Sequence, residues 1–407
     1  MHIFGTHDAN TLAQLEDVAR GAVRVALMAD GHLGFVMPIG GVAAYDDRVS
    51  VVGVGFDIAC GNAAIRTDLA LADLGPQGAE RERTLQGLAD EIAATISFGL
   101  GRTNRSDDAP VDHPLFDDPA WEAVPAPFRE KLRDRARAQL GTVGSGNHYV
   151  DVFADERDAV WVGVHFGSRG FGHAVASGFL ALGQDRPWGT RVPEAEVVLP
   201  LDAPLGQDYW ALMTLAGRYA YAGREWVARK VVGLLGARER ELVHNHHNFA
   251  WRETHDGREW IVVRKGATPA FPGQEGFVGG SMGDDAVILR GAAPDEGSEA
   301  AGLQRRSLFS TVHGAGRVMS RTAARGKVRR RTGEVVRPGR VTPEMMQDWV
   351  RRKGVVLRGG GLDESPHVYR RLPDVLAAQG PTIEVLHVLR PLVVVMAGPD
   401  VWDPYRD

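Results

Sequence analysis

The chain has 407 residues, 44% hydrophobic and 24% charged, with a net charge of -5. That is ample for a sizeable core, and the slight acidity excludes a globally basic nucleic-acid binder, so RNA would need a local patch. The single cysteine excludes an internal disulfide, no apolar run approaches the ~20 residues that span a bilayer, and residues 1–11 lack a basic stretch followed by an apolar one. The expectation is a cytoplasmic protein with no membrane segment and no signal peptide.

Residues 23–28, 36–44 and 51–58 are short apolar runs between glycine-rich turns and predict strands and loops. Residues 80–98 carry Leu85, Leu88, Ile92 and Ile96 at helical spacing and predict an amphipathic helix. The polar stretch 103–114, with Asp107, Asp108 and Asp112, predicts a surface loop, and 128–140 a charged helix. Residues 159–165 predict a strand ending in a Gly-Ser-Arg-Gly turn. Asp208 is the predicted N-cap of a helix running to about Leu235, with Trp226, Val227, Lys230, Val231 and Leu234 on one face of its second half. Strands are expected at 260–264 and 286–290, and a short buried strand at 392–395.

Segment 325–340 holds Arg325, Lys327, Arg329, Arg330, Arg331, Arg337 and Arg340 against one acid, Glu334. It is the best local basic patch, although a solvated loop has the same composition. No internal repeat or linker is visible. The expected fold is α+β, a single intertwined domain over residues 1–407 with mixed sheets flanked by helices.

Five of the 14 histidines sit in glycine-, serine- or asparagine-rich surroundings: His32, His148, His165, His247 and His313. Such loops at strand ends are where ligands and catalytic groups are held. Asp57 and Cys60 lie three residues apart on a turn and can point at one centre. A thiolate can bridge two metal ions, a carboxylate can ligate one of them, and imidazoles complete each shell, a set that suits Mn, Fe, Co or Zn. Taken alone, a lone cysteine reads as a small buried hydrophobe, and a lone histidine in a loop as a structural hydrogen bonder. His244, His246, His255, His367 and His387 keep that structural reading. Only the five clusters together point to a metal centre.

These clusters, in this order, resemble the RtcB family of RNA ligases. The resemblance runs from Asp30-Gly-His-Leu-Gly and Pro38-Ile-Gly-Gly-Val-Ala-Ala through Gly55-Phe-Asp-Ile-Ala-Cys-Gly, Gly141-Thr-Val-Gly-Ser-Gly-Asn-His and His165-Phe-Gly-Ser-Arg-Gly. It continues through His247-Asn, Arg264-Lys-Gly-Ala-Thr, Gly280-Ser-Met-Gly and Ser310-Thr-Val-His-Gly-Ala-Gly-Arg to Glu364-Ser-Pro-His-Val-Tyr. It implies an enzyme that uses GTP and two Mn²⁺ ions to join an RNA 3′-phosphate or 2′,3′-cyclic phosphate to a 5′-hydroxyl. By the same resemblance Asp57, Cys60, His148, His165 and His247 match the metal ligands, with Cys60 as the bridge. His313 matches the histidine that becomes guanylylated, and neutral imidazole is a competent nucleophile near pH 7.

The implied nucleotide contacts are Asn147, His148, Asp151, His247, Asn248, Gly279, Gly280, Ser281, Met282, Ala286, His313, Gly314, Ala315, Gly316, Tyr369 and Met396. Arg169 and Arg317 match arginines that hold RNA phosphates, for which a guanidinium fork is suited. The resemblance leaves open an activating partner protein. Three positions depart from the family pattern, all on the nucleotide side: Met396 replaces a base-contacting lysine, Asp151 a glutamate and Ala286 a serine. Two further readings therefore stand beside the ligase. One is a diverged metalloenzyme with altered nucleotide use, acting on RNA or DNA 3′-ends as a phosphodiesterase or phosphatase. The other is a non-catalytic RNA-end-binding protein.

Overall fold

The computed structural model describes residues 1–328 and 335–398. Its larger sheet runs, in spatial order, Glu275–Val278, Ala286–Gly291, Ile383–Met396, Tyr149–Ala154, Ala159–Phe166, Gly61–Ala70 and Glu239–His246. Val356–Arg358 adds in parallel alongside Ile383–Met396. A second sheet orders His2–Ile3, Arg24–His32, Ile39–Tyr45, Arg258–Lys265 and Asn248–His255. Both sheets mix parallel and antiparallel pairs, and helices pack on them, so the expected α+β class holds. His247 is the single residue between the last strand of the large sheet and the last strand of the small one.

Burial explains why the central strands form. Ala159–Phe166 is apolar on both faces. Val160, Val162 and Val164 meet Leu85, Leu88 and Ile92 of helix Ala79–Thr95 and Val227 and Val231 of helix Pro204–Leu234. Trp161 faces the other way, onto Phe153, Phe277, Ile288 and Leu389. The first half of Pro204–Leu234 instead packs on Arg169–Leu182, with Tyr209 and Leu212 against Phe171 and Phe179.

Most expected elements are present, including helices Ala79–Thr95 and Ala126–Gln139 and the loop between them. Three differ. Val51–Val54 is a helical turn capped by Ser50, whose Oγ accepts from Gly53 N at 2.8 Å, and not part of a strand. The long helix starts at Pro204 with Ala203 as its N-cap, so Asp208 lies inside it. Proline at the first helical position has no N–H to satisfy and a preset φ, and here it outweighs the aspartate. The expected short strand at 392–395 is the end of a 14-residue strand, Ile383–Met396, whose register shifts beside Pro391, the residue that cannot donate to the ladder. In the basic segment, Gly326–Val328 pairs with Val335–Pro338, and Lys327, Arg337 and Arg340 are exposed. Arg329, Arg330, Arg331 and Glu334 lie outside the described residues. None of the described helices is long and apolar enough to cross a membrane.

One buried ion pair joins the small sheet to the segment that precedes His313. Arg264, fully buried, donates to both oxygens of Glu253 at 2.6 and 3.0 Å, to Ser310 Oγ at 2.8 Å and to Leu308 O at 2.8 Å. Leu308 and Phe309 have φ of 53° and 48°, a left-handed turn that L residues disfavour and that this guanidinium helps to hold. Burial pushes the Glu253 carboxyl up, but Arg264 and His255 bring it below its ordinary 4.5. Its contribution is therefore full above that value and is lost as pH falls below it, through the lower value of the folded protein. Glu253→Ala, which strands the buried guanidinium, is expected to remove about 3–5 kcal/mol of stability at neutral pH. The difference from the parent should shrink in acid. Urea unfolding at several pH values checks both.

Candidate active site

Strand register builds the centre. Gly61 lies opposite Phe166 on one side and His246 on the other, and Asn62 lies opposite His165, which in turn faces Tyr149. Cys60, His148, His165 and His247 therefore converge at one end of four adjacent strands. Two sets of potential ligand atoms result, Cys60 with His165 and His247, and Asp57 with Cys60 and His148, each within 4.8 Å of one another. They share Cys60. Its Sγ is 3.7 Å from Nε2 of both His148 and His165, and His148 Nε2 is 3.1 Å from Asp57 Oδ2.

The outer nitrogens fix which way the rings present themselves. His148 Nδ1 donates to Val143 O at 2.9 Å. His165 Nδ1 donates to Asn62 Oδ1 at 2.7 Å, and Asn62 is held in that orientation because its Nδ2 donates to Phe277 O at 2.7 Å. His165 Nε2 is thus a lone-pair donor facing the thiol, the arrangement by which an outer partner orients a metal-ligating histidine, while His148 Nε2 lies against both Cys60 Sγ and Asp57 Oδ2. His247 Nδ1 is buried with no hydrogen-bond partner. Burial pushes His165 and His247 well down, so they are neutral. Burial also pushes Asp57 up, but His148 and Arg169 hold it at about 2. Burial and the Asp57 carboxylate push the Cys60 thiol well up. A divalent cation supplies the positive charge that a thiolate and a carboxylate at this depth call for. The donor set and the orphaned His247 nitrogen fit such an ion.

Next to this centre lies a cleft of about 830 Å³ measured out to its mouth. His313 stands between the two, its ring 4.9 Å from that of His247 and its side chain on the cleft wall. Asp30, fully buried, anchors it. Asp30 Oδ2 accepts from the backbone N–H of His313 at 3.0 Å and of Gly314 at 3.2 Å, and His313 Nδ1 lies 2.6 Å from the same oxygen. Burial pushes Asp30 up, and His313 holds it below the usual carboxylate range. At the inner end, Asp151 Oδ1 and the Tyr149 hydroxyl are buried without partners. Burial pushes the Asp151 carboxyl well up.

A family model described as tRNA-splicing ligase RtcB matches residues 8–397. The chain belongs to the RtcB family. It is similar to the tRNA-splicing ligase RtcB of Archaeoglobus fulgidus, 33% identical over 86% of this chain and 82% of the relative. A tRNA-splicing ligase RtcB from Thermococcus kodakarensis is 33% identical, with 90% and 86% covered. The RNA-splicing ligase RtcB of Escherichia coli K12 is 31% identical, with 91% and 89% covered.

The residues that carry the RtcB resemblance fall into the two regions. Asp57, Cys60, His148, His165 and His247 meet at the strand ends. Asn147, Asp151, Gly279, Gly280, Ser281, Met282, Ala286, His313, Gly314, Ala315, Gly316, Tyr369 and Met396 line the cleft. His148 and His247 lie on the side of the candidate ligand sets, and Asn248 donates to Asp57 O at 3.4 Å and accepts from Gly266 N at 2.7 Å. Arg169 is beside the centre, 3.2 Å from His148 Nδ1. Arg317 is tied into the cleft wall, donating to Tyr369 Oη at 3.0 Å and Asp363 O at 2.8 Å. Of the five histidines read as structural, His244 and His246 accept from Arg224, His255 pairs with Glu253, and His367 Nδ1 lies 3.0 Å from Ser365 Oγ, whereas His387 joins Asp155 and Glu156 in a third group whose geometry could hold a cation.

Sequence reasoning gave no role to Asp30 or Asn62. Both stand inside or beside quoted motifs, so position within a motif was the available signal. Asn62→Leu keeps the side chain's volume but frees His165 to rotate. Divalent-metal affinity is expected to fall by about 10–100-fold, read by titrating the metal-free protein with Co²⁺. An unchanged affinity means that Asn62 does not orient His165.

Proposed function

We propose that this protein is an RNA ligase, joining a 3′-phosphate or 2′,3′-cyclic phosphate end to a 5′-hydroxyl end with GTP, through a guanylylated His313. The observation that carries this reading is His313, held by a buried aspartate at the boundary between the Cys60-centred ligand set and the cleft.

The chemistry follows from the anchoring. With Nδ1 2.6 Å from Asp30 Oδ2, His313 in this reading keeps Nε2 as the free lone pair. Nε2 attacks the α-phosphorus of GTP, an N–P bond forms, the α–β P–O bond breaks and pyrophosphate leaves. The ring gains positive charge in this step, and the Asp30 carboxylate 2.6 Å away stabilises it. Asp57, Cys60, His148, His165 and His247 would hold two divalent ions, Mn²⁺ in this reading, which supply Lewis-acid neutralisation of phosphoryl oxygens. Gly279 and Gly280 leave no room for a Cβ, which would strike Tyr149 Oη and Asp285 O, and with Gly314 they form the backbone wall that the nucleotide meets in this reading. Arg169, beside the metal centre, is the guanidinium assigned to RNA phosphates. Arg317 shapes the pocket around Tyr369. In this reading residues 1–407 act as one catalytic domain in the cytoplasm, with RNA ends as partners and an activating protein as a further one.

A second reading, a metalloenzyme with altered nucleotide use, is favoured by one observation. Met396 is buried in an apolar cluster with Met282, Val350, Val355 and Val394 at the inner end of the cleft. It offers area and no charge to a base. Comparing GTP with ATP binding separates the two readings.

Incubation with α-phosphate-labelled GTP and Mn²⁺ is expected to leave label covalently attached to the parent and none on His313→Ala. An unlabelled parent, or an equally labelled variant, overturns the ligase reading. Asp30→Asn, which keeps the shape but loses the charge and the tautomer control, is expected to slow labelling by roughly 10²–10⁴-fold.

A further inference from the structure

The four nitrogen-to-acceptor contacts of one arginine single it out. Arg224 lies in the second half of helix Pro204–Leu234 and is fully buried. Its Nε donates to His244 Nε2 at 2.8 Å. One terminal nitrogen donates to Ala59 O at 2.8 Å and to Phe166 O at 2.5 Å. The other donates to His246 Nδ1 at 2.8 Å. Ala59 precedes Cys60, Phe166 follows His165, and His246 precedes His247. A single rigid fork therefore grips the residue next to each member of the ligand set Cys60, His165 and His247.

The grip has work to do at Ala59. That residue has φ of 59°, left-handed for a residue with a Cβ, and such a conformation persists only when its surroundings over-determine it. Here two contacts do so: Ala59 N donates to Asn248 O at 2.7 Å, and Ala59 O accepts from Arg224. Cys60 leaves this turn directed at the centre. The two histidines at the fork's flanks must be neutral acceptors, because a guanidinium has no lone pair to offer.

A buried guanidinium beside a cation site also repels the cation. Position and charge therefore push in opposite directions, and the contacts decide between them. Four of its five N–H groups are spent on the segments that carry the ligand residues, and three nitrogens of one rigid plane reach four acceptors at once, which the single nitrogen of a lysine cannot reproduce.

We propose that Arg224 is the positioning residue of the metal centre, locking Cys60, His165 and His247 into one geometry before any ion arrives. This rests on the reading of those residues as metal ligands and not on RNA ligation, so its test reads metal binding. The full chain, stripped of metal, is titrated with Co²⁺ while the cobalt–thiolate charge-transfer absorption of Cys60 is followed. The parent is expected to show that band; its absence overturns the ligand reading itself, whatever Arg224 does. Arg224→Lys and Arg224→Gln are each expected to weaken Co²⁺ binding at least ten-fold and to shift or weaken the band.

Tyr219→Phe serves as the stability control. It removes a buried hydrogen bond to Ala136 O, 2.8 Å long, from the same helix, away from the centre. It is expected to lower the melting temperature and leave Co²⁺ affinity unchanged. His244→Ala, which releases only the Nε contact, is expected to weaken binding about three-fold. Parent-like affinity in a folded Arg224 variant overturns the proposal, as does tighter binding, which would show that charge repulsion outweighs position. Should neither Arg224 variant fold, parent-like affinity and band in His244→Ala overturn it.

Discussion

Everything at the centre depends on how closely three strands pass one another at Gly61. A Cβ built on Gly61 would sit 2.2 Å from Asn245 O and 2.9 Å from His246 Cα, both backbone atoms that cannot swing aside. Only glycine permits this approach. With it, the strand after Cys60 is hydrogen-bonded on one side to the strand ending in Phe166 and on the other to the strand ending in His246. Cys60 N accepts its own local constraint by donating to Asp57 O at 3.0 Å, while Cys60 O accepts from His247 N at 2.9 Å. A one-residue slip in either register would turn His165 or Gly61 to the wrong face. The centre is thus a product of sheet geometry first and of side-chain chemistry second.

That origin explains the electrostatics. The ends of four paired strands form a dry environment, and burial drives each ionisable group towards its neutral form. His165 and His247 become neutral lone-pair donors, which suits ligation. The same burial works against the Cys60 thiolate. Asp57 escapes it only because His148 and Arg169 face it. The arrangement is therefore short of positive charge in its interior at the atoms that would ligate, and rich in it one shell out, at Arg169 and Arg224. Asp30 completes the pattern on the cleft side, where it is buried and lies against His313, a histidine outside both ligand sets.

Local chemistry was legible in the sequence, and long-range support was not. Each candidate ligand histidine sits in its own glycine-, serine- or asparagine-rich motif, so Asp57, Cys60, His148, His165 and His247 could be picked out without knowing that they meet. Their helpers act across the chain: Asp30 bonds to the backbone of His313 from 283 positions away, and Arg224 to Ala59 from 165. No spacing rule reaches that far. Arg224 in particular reads as an ordinary charged position on an amphipathic helix, and only the fold shows that it points inward. The misplaced helix start has a local cause, because Pro204 and Asp208 are both start signals and the proline stands first in the chain. The strand Ile383–Met396 was under-read because Glu384, His387, Arg390 and Pro391 interrupt its apolar run and leave only the stretch after the proline continuous. Tertiary pairing to Ala286–Gly291 supplies what that pattern lacks.

The cleft's inner end sets a sharper condition on its occupant than its outline does. Asp151 Oδ1 and the Tyr149 hydroxyl are buried and unpartnered, and each such group left unsatisfied costs about 1–3 kcal/mol. An apolar occupant would leave both penalties in place, so the site favours one that brings hydrogen-bonding groups to this depth. Met396 beside them adds contact area without direction, and Ala286 is buried without a hydroxyl. Discrimination among occupants then rests on Asp151. Burial pushes its carboxyl well above the usual carboxylate range, towards the neutral form, and a neutral carboxyl both donates and accepts. A cation at position 396 would have held that carboxyl ionised and restricted it to accepting from an N–H edge. With methionine there, burial acts on that carboxyl unopposed, and the inner cleft presents Asp151 beside an apolar side chain.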